Sequence, residues 1–266
     1  MFDSIAGDYD ALNHILSLDV DKIWRRKALK QIVDAPAPAR VLDLACGTGD
    51  FSIAIAKALS RSHKRVGTPI EAHVKAPAKA PVEAQVTSTG FVTGDSGRPD
   101  LMTKGHVTGV DLSEGMLAVM REKVQKSGLT EMISIEEGDG ENLRFPDNTF
   151  DRVTIAFGIR NFENREKGLR EMLRVLKPGG RLVILELSRP ENKIIRWFYD
   201  LYFLHILPKI GGKVSGDKAA YAYLPASVAA FPGKKAFMAT MREAGFRAVT
   251  HKAFTLGICR MYTGEK

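Results

Sequence analysis

Acidic residues set around a short glycine turn carry the first chemistry in this chain. Asp43, Gly47-Thr48-Gly49 and Asp50 fall in the run RVLDLACGTGD from Arg40 to Asp50. Asp111 and Leu112 fall in a second run, HVTGVDLSEGM, from His106 to Met116. Glycines let backbone N–H groups approach a ligand closely, and a carboxylate at the next strand's end can accept hydrogen bonds from both ribose hydroxyls. This is the chemistry of a nucleoside cofactor. The third glycine of a dinucleotide fingerprint is absent, because Ser52 stands in its place. Asp50, at the start of the following helix, would repel a pyrophosphate but not a sulfonium with an amino-acid tail, and Asp43 points the same way. The balance favours S-adenosylmethionine over NAD.

The elements that must hold these residues follow from periodicity. Val41, Leu42 and Leu44 read as a strand, and Phe51, Ile53, Ile55, Ala58 and Leu59 as the helix after the turn. The pattern lapses from about Ser60 to Gly105, which contains Pro69, Pro77, Pro81 and Pro99. This stretch reads as an inserted, solvated loop, with a basic arm for nucleic acid or anionic lipid as the weaker alternative. Asp43 and Asp111 are 68 residues apart; without the 46 residues of the insertion the separation is 22, close to the usual spacing of about 20.

Alternation resumes beyond the insertion. Strands are expected at His106–Asp111, Ile133–Glu137, Arg152–Phe157 and Leu182–Leu187, with late strands at Ala248–Phe254 and Ile258–Tyr262. Helices are expected after Ser113, across Leu169–Leu176 up to Pro178-Gly179-Gly180, and at Lys234–Ala244. The result is an α/β fold, a mostly parallel seven-stranded sheet with helices on both faces. Residues 1–266 read as one domain, with an N-terminal helical lid at 1–35 and a flexible insertion at about 60–105.

A chain of 266 residues, 44% of them hydrophobic, can bury one substantial core. Cys46 and Cys259 provide no disulfide framework, one of them inside the glycine motif, which favours a reducing compartment. The sequence offers neither a leader pattern nor an apolar run of membrane-spanning length, so the expected location is the cytoplasm. The net charge of +8 is spread along the chain and permits contact with an anionic surface without establishing one. No His, Cys or Glu cluster has metal-ligand spacing, so no metal is expected.

The glycine run and Gly109-Val110-Asp111 resemble the first two motifs of class I S-adenosylmethionine-dependent methyltransferases, with their Rossmann-like fold. Longer stretches are more specific: MFDSIAGDYDALNHILS at 1–17, FPDNTFDRVTIAFGIRNF at 145–162, LKPGGRLVILELSRP at 176–190 and YAYLPASVAAFP at 221–232. Together they resemble the ubiquinone/menaquinone biosynthesis C-methyltransferases, over almost the whole chain except 60–105. The resemblance implies methylation of a ring carbon of a polyprenyl quinol. Demethylmenaquinol is favoured because Cys46 resembles that branch. The ubiquinone precursor, or another small molecule, is the alternative.

Carried over by motif, the cofactor site comprises Asp43, Gly47, Thr48, Gly49, Asp111, Leu112, Asp139, Gly140 and Ala156. Most members have Ala where Gly140 stands, a departure of little consequence if the backbone N–H makes the adenine contact. Arg160 and Asn161 follow the fourth strand, where substrate would meet cofactor. Arg160 is assigned to stabilise a phenolate or orient a water, with Asn161 fixing it; a surface ion pair with Glu163 or Asp151 is the alternative. Tyr9, with Asp8, would close over the ring. The aromatic run Ile194–Ile210 suits a wall for the prenyl tail or peripheral contact with the membrane. A helix buried on the sheet or in a homodimer interface is the other reading of that run.

Overall fold

The structure, a computed structural model, describes residues 19–35, 38–66, 105–202 and 218–266. Tyr9, Asp8, most of the expected insertion and the second half of Ile194–Ile210 lie outside the described residues. Seven strands form one sheet: β1 Arg40–Leu44, β2 His106–Asp111, β3 Ile133–Glu137, β4 Phe150–Ala156, β5 Leu176–Leu187, β6 Arg247–Phe254 and β7 Cys259–Glu265. Their order is β3-β2-β1-β4-β5-β7-β6. β1 to β5 are parallel, while β7 runs antiparallel between β5 and β6. The strand order reverses between β1 and β4, and in such sheets ligands settle beyond the carboxyl ends of the strands at that point.

Side chains alternate across each strand and so divide the apolar residues between two layers. On one face Val41, Val107, Val183 and Leu185 pack under helices α1 (Val20–Ile32), α2 (Asp50–Val66) and α3 (Glu114–Lys126). On the other, Leu42, Leu44, Ile155 and Ile184 pack under α4 (Arg165–Val175) and α7 (Lys234–Glu243). Helices α5 (Lys193–Leu201) and α6 (Lys218–Ala230) follow β5. The described part of the expected lid is a core helix: Trp24, Ala28 and Ile32 of α1 are buried against the sheet.

Boundaries differ from expectation where backbone geometry overrides periodicity. β4 stops at Ala156 because Phe157 takes a left-handed conformation, φ 63°. β5 starts at Leu176, six residues before the expected Leu182, and carries Pro178-Gly179-Gly180 within it. The pairing between β4 and β5 shifts register between Phe150 and Arg152, which accommodates the extra residues.

Candidate active site

The glycine turn closes the gap between β1 and α2, and Asp111 fixes it in place. Ala45 and Gly47 adopt positive φ angles of 49° and 55°. The turn is held by Cys46 N–H donating to Val110 O at 3.1 Å and by Gly49 N–H donating to Cys46 O at 3.0 Å. Asp111 accepts one backbone N–H on each carboxylate oxygen, from Gly47 at 2.8 Å and from Ser113 at 3.0 Å. Asp111 also lines the cavity beside this turn, where a carboxylate can accept hydroxyl donors.

A cavity of about 340 Å³ opens at the carboxyl ends of β1, β2 and β4. It brings together Gly47, Asp111, Leu112, Asp139, Gly140, Ala156 and Asn161. A small cavity of about 30 Å³ shares Ala45, Gly47, Ala156 and Phe157 with it and adds Arg25, Asp43, Cys46, Thr48, Asp50 and Phe51. Burial pushes the Asp43 carboxyl up to about 7, against a hydrogen bond from Ser52 Oγ at 2.6 Å that favours its charged form. Ser52, conspicuous in the sequence as a missing glycine, is thus the hydroxyl partner of Asp43. Burial also raises the Cys46 thiol well above its usual range, so Cys46 is a packing residue beside Met120 Sδ at 3.5 Å.

Several expectations change in detail. Gly49 lines neither cavity. Its φ is 82°, and a Cβ there would stand 2.4 Å from Met120 Cγ, so this glycine serves packing. Thr48 is buried, and its hydroxyl accepts from Lys123 Nζ at 3.3 Å. Asp50 is paired with Lys123 and stands 3.8 Å from Arg25 Nη1. Its charge is locally compensated, so it does not itself discriminate between a pyrophosphate and a sulfonium.

Arg160 is the main correction. Its guanidinium does not enter the cavity and makes neither of the surface pairs considered from sequence. Both it and its partner are buried, and Nη1 lies 2.9 Å from Glu186 Oε1 on β5. Nη1 also donates to the Phe157 carbonyl, and Nε to Ser227 Oγ at 3.3 Å. Glu186 in turn accepts the Arg160 and Leu187 backbone N–H groups at 3.1 and 2.7 Å. Nη1 and Nε are thus committed to the interior, and Arg160 is not among the residues that line the cavity. Asn161 does line the cavity, and its Oδ1 accepts from Tyr223 Oη of α6 at 2.9 Å.

Arg25 was missed because it sits in α1, far from the glycine run. Its Nε is buried without a hydrogen-bond partner, 3.6 Å from Asp21, and its guanidinium lies 5.6 Å from the centre of the Phe157 ring. The Arg25 guanidinium and the Asp43 and Asp50 carboxyls therefore line one small cavity that adjoins a larger one lined by Asp111. That donor and acceptor set fits a nucleoside carrying a zwitterionic amino-acid tail, as S-adenosylmethionine does.

The sequence pattern of the ubiE/COQ5 methyltransferase family matches residues 1–266. The chain is 44% identical over 266 residues to the ubiquinone/menaquinone biosynthesis C-methyltransferase UbiE of Geobacter sulfurreducens, covering 100% of this chain and 87% of that protein. It is 38% identical to the demethylmenaquinone methyltransferase of Thermus thermophilus, with 100% of both chains covered. Among solved structures, a SAM-dependent methyltransferase from Aquifex aeolicus matches with TM-score 0.54 at 19% identity, covering 90% of this chain and 88% of that one. One from Methanococcus maripaludis, described as putative, gives 0.59 at 16% identity, covering 100% and 94%. At these identities the structures speak to the fold, and the full-length relatives to the family.

Proposed function

Because the chain belongs to the ubiE/COQ5 methyltransferase family, we propose that it methylates a ring carbon of a polyprenyl quinol, with demethylmenaquinol as the acceptor. The chain is an S-adenosylmethionine-dependent C-methyltransferase. The substrate reading is supported by its full-length similarity to proteins named demethylmenaquinone methyltransferase. The observation that carries the site reading is the single cavity shared by Asp111, from β2, and Asn161, from the turn after β4.

In this reading Asp111 holds the ribose hydroxyls, Leu112 and the Asp139-Gly140 backbone flank the adenine, and Asp43 with Arg25 receives the amino-acid tail. S-adenosylmethionine supplies an electrophilic methyl group when bound. The chain's task is to hold the acceptor carbon in line and to favour the quinol's oxyanion, since a ring carbon is a good nucleophile only when the adjacent hydroxyl has lost its proton. The carboxamide of Asn161 serves that oxygen as a hydrogen-bond donor. Arg160 is a positioning residue, anchoring the turn that carries Asn161.

Contact with the membrane that holds the substrate is proposed through α5. Ile194, Trp197, Phe198 and Leu201 recur at one helical face and are 71, 61, 59 and 38% exposed. Lys193 and Arg196 flank them, a composition suited to an interfacial helix at the cytoplasmic surface. No helix among the described residues is long and apolar enough to cross a membrane, and the contact proposed is peripheral.

Transfer of labelled methyl from S-adenosylmethionine to demethylmenaquinol and to 2-methoxy-6-polyprenyl-benzoquinol tests the reading directly. Labelling of the first at a ring carbon supports it. Labelling of the second alone would move the substrate to the ubiquinone branch, and labelling of neither would overturn the quinol reading.

A further inference from the structure

Helix α6 touches the turn after β4 at two successive residues. Tyr223 Oη donates to Asn161 Oδ1 at 2.9 Å, and one helical turn later Ser227 Oγ accepts from Arg160 Nε at 3.3 Å. Ser227 is in turn oriented by donating to Leu224 O at 3.0 Å. The two side chains of the turn thus have different fates. Arg160 is drawn to Glu186 in the interior, while Asn161 stays at the cavity wall. A carboxamide has one oxygen and one NH2 group, and the Tyr223 hydroxyl occupies the oxygen. With its oxygen turned to Tyr223, Asn161 has its NH2 group to offer a ligand in the cavity.

We propose that Tyr223 is a positioning residue for methyl transfer: by holding Asn161 Oδ1, it fixes the Asn161 carboxamide with its NH2 toward the ring oxygen of the quinol. This rests on the reading of Asn161 as the group facing substrate. Without the Tyr223 hydroxyl, the carboxamide is free to rotate and present its oxygen, which would repel a developing oxyanion. A fixed donor also lowers the pH at which the quinol oxygen gives up its proton, so Tyr223 acts on the acid limb of the rate profile through Asn161.

A double-mutant cycle tests this in the full chain. Tyr223→Phe is expected to lower kcat with demethylmenaquinol about tenfold, the scale of one lost hydrogen bond. The acid limb of its kcat–pH profile should move to higher pH, with affinity for S-adenosylhomocysteine unchanged. Asn161→Ala should be slower still, and adding Tyr223→Phe to it should cost nothing further. Asn161→Asp keeps an acceptor for Tyr223 but has no donor and places a carboxylate near the developing oxyanion, and should be at least as slow as Asn161→Ala. If Asn161→Ala retains the wild-type rate, the reading of Asn161 itself fails. If Asn161→Ala is slow but Tyr223→Phe lowers the rate equally in both backgrounds, the coupling fails and Tyr223 is only a structural residue. S-adenosylhomocysteine affinity and Tm, measured on every variant, separate either result from loss of the fold.

Discussion

A Cβ placed on Gly140 would stand 2.6 Å from Cζ of Phe162. A Cβ on Gly168 would stand 2.5 Å from Cδ2 and Cε2 of the same ring. The phenyl ring thus sits against two residues that lack side chains, and both Phe162 and Gly140 line the main cavity. Glycine at position 140, which looked inconsequential in the sequence, gives the ring its space.

Gly140→Ala should therefore displace Phe162 toward the cofactor. Overpacking of this kind typically costs about 1–3 kcal/mol, so S-adenosylhomocysteine affinity should fall by about five- to a hundredfold, at about 1.4 kcal/mol per decade. Gly140→Ala combined with Phe162→Leu should recover most of it. Calorimetric Kd values decide; an unchanged Kd in Gly140→Ala would show that the ring yields in another direction.

Arg25 is tested by splitting the cofactor in two. 5′-Methylthioadenosine keeps the nucleoside and lacks the amino-acid tail. Arg25→Gln should weaken S-adenosylhomocysteine by about tenfold or more, the scale of a charge-assisted hydrogen bond, and leave 5′-methylthioadenosine unaffected. Buried Asp21 loses a neighbouring cation in this variant, so Arg25→Gln with Asp21→Asn serves as the stability-matched control. Equal losses for both ligands would remove Arg25 from the tail site.

Asp43 ties stability and binding to pH with opposite signs. Its carboxyl is raised from 3.8 to about 7, mainly by burial. Between those values the folded chain holds a proton that the unfolded chain has released, so this group makes stability fall as pH rises through the window. Asp43→Asn should flatten that part of the Tm–pH curve. Binding of an ammonium beside Asp43 favours the carboxylate and expels the proton. S-adenosylhomocysteine affinity should therefore weaken as pH falls below about 7, by at most about tenfold per unit, and Asp43→Asn should remove the dependence.

The Arg160–Glu186 pair should behave as structure. Removing one member of a buried pair typically costs about 3–5 kcal/mol, so Arg160→Ala should show a clear drop in denaturation midpoint along with its loss of activity. Arg160→Lys should rescue only partly, since one ammonium cannot reproduce the contacts to Glu186, Ser227 and the Phe157 carbonyl. A fully stable but inactive Arg160→Ala would return the guanidinium to the chemistry.

Residues placed by their own strand or turn were legible in the sequence, and residues placed by a distant partner were not. β2 and β3 match their expected ranges because the short apolar runs that mark them are local, and Asp111 was legible because a strand end and a glycine turn define its place. The roles of Arg160 and Asp50 were not legible, since each is decided by a distant partner: Glu186 lies 26 residues from Arg160, and Lys123 lies 73 from Asp50. A charged residue in a motif reads the same whether its partner is a substrate or a buried side chain. Arg25, and the role of Tyr223 within the stretch at 221–232, were not legible for the converse reason, because only the packing of α1 and α6 brings them to the site.

Helix α5 offers its own reporter. The chain has two tryptophans: Trp24 is buried at 4% exposure, donating to Thr255 Oγ1 at 2.8 Å, and Trp197 is 61% exposed. Trp24→Phe would leave Trp197 as the single emitter, on the face it shares with Ile194, Phe198 and Leu201. Adding vesicles that contain anionic phosphatidylglycerol should shift its emission to the blue, and more strongly at low salt because Lys193 and Arg196 contribute. Burying one large apolar side chain is worth about 1.5–3 kcal/mol, so Phe198→Ser should weaken vesicle partitioning by about ten- to a hundredfold. The same substitution should raise the KM for quinol presented in vesicles and leave the KM for a short-chain, detergent-free quinol unchanged. Equal effects on both substrates would mean that α5 acts on the site itself and not on its approach to the membrane.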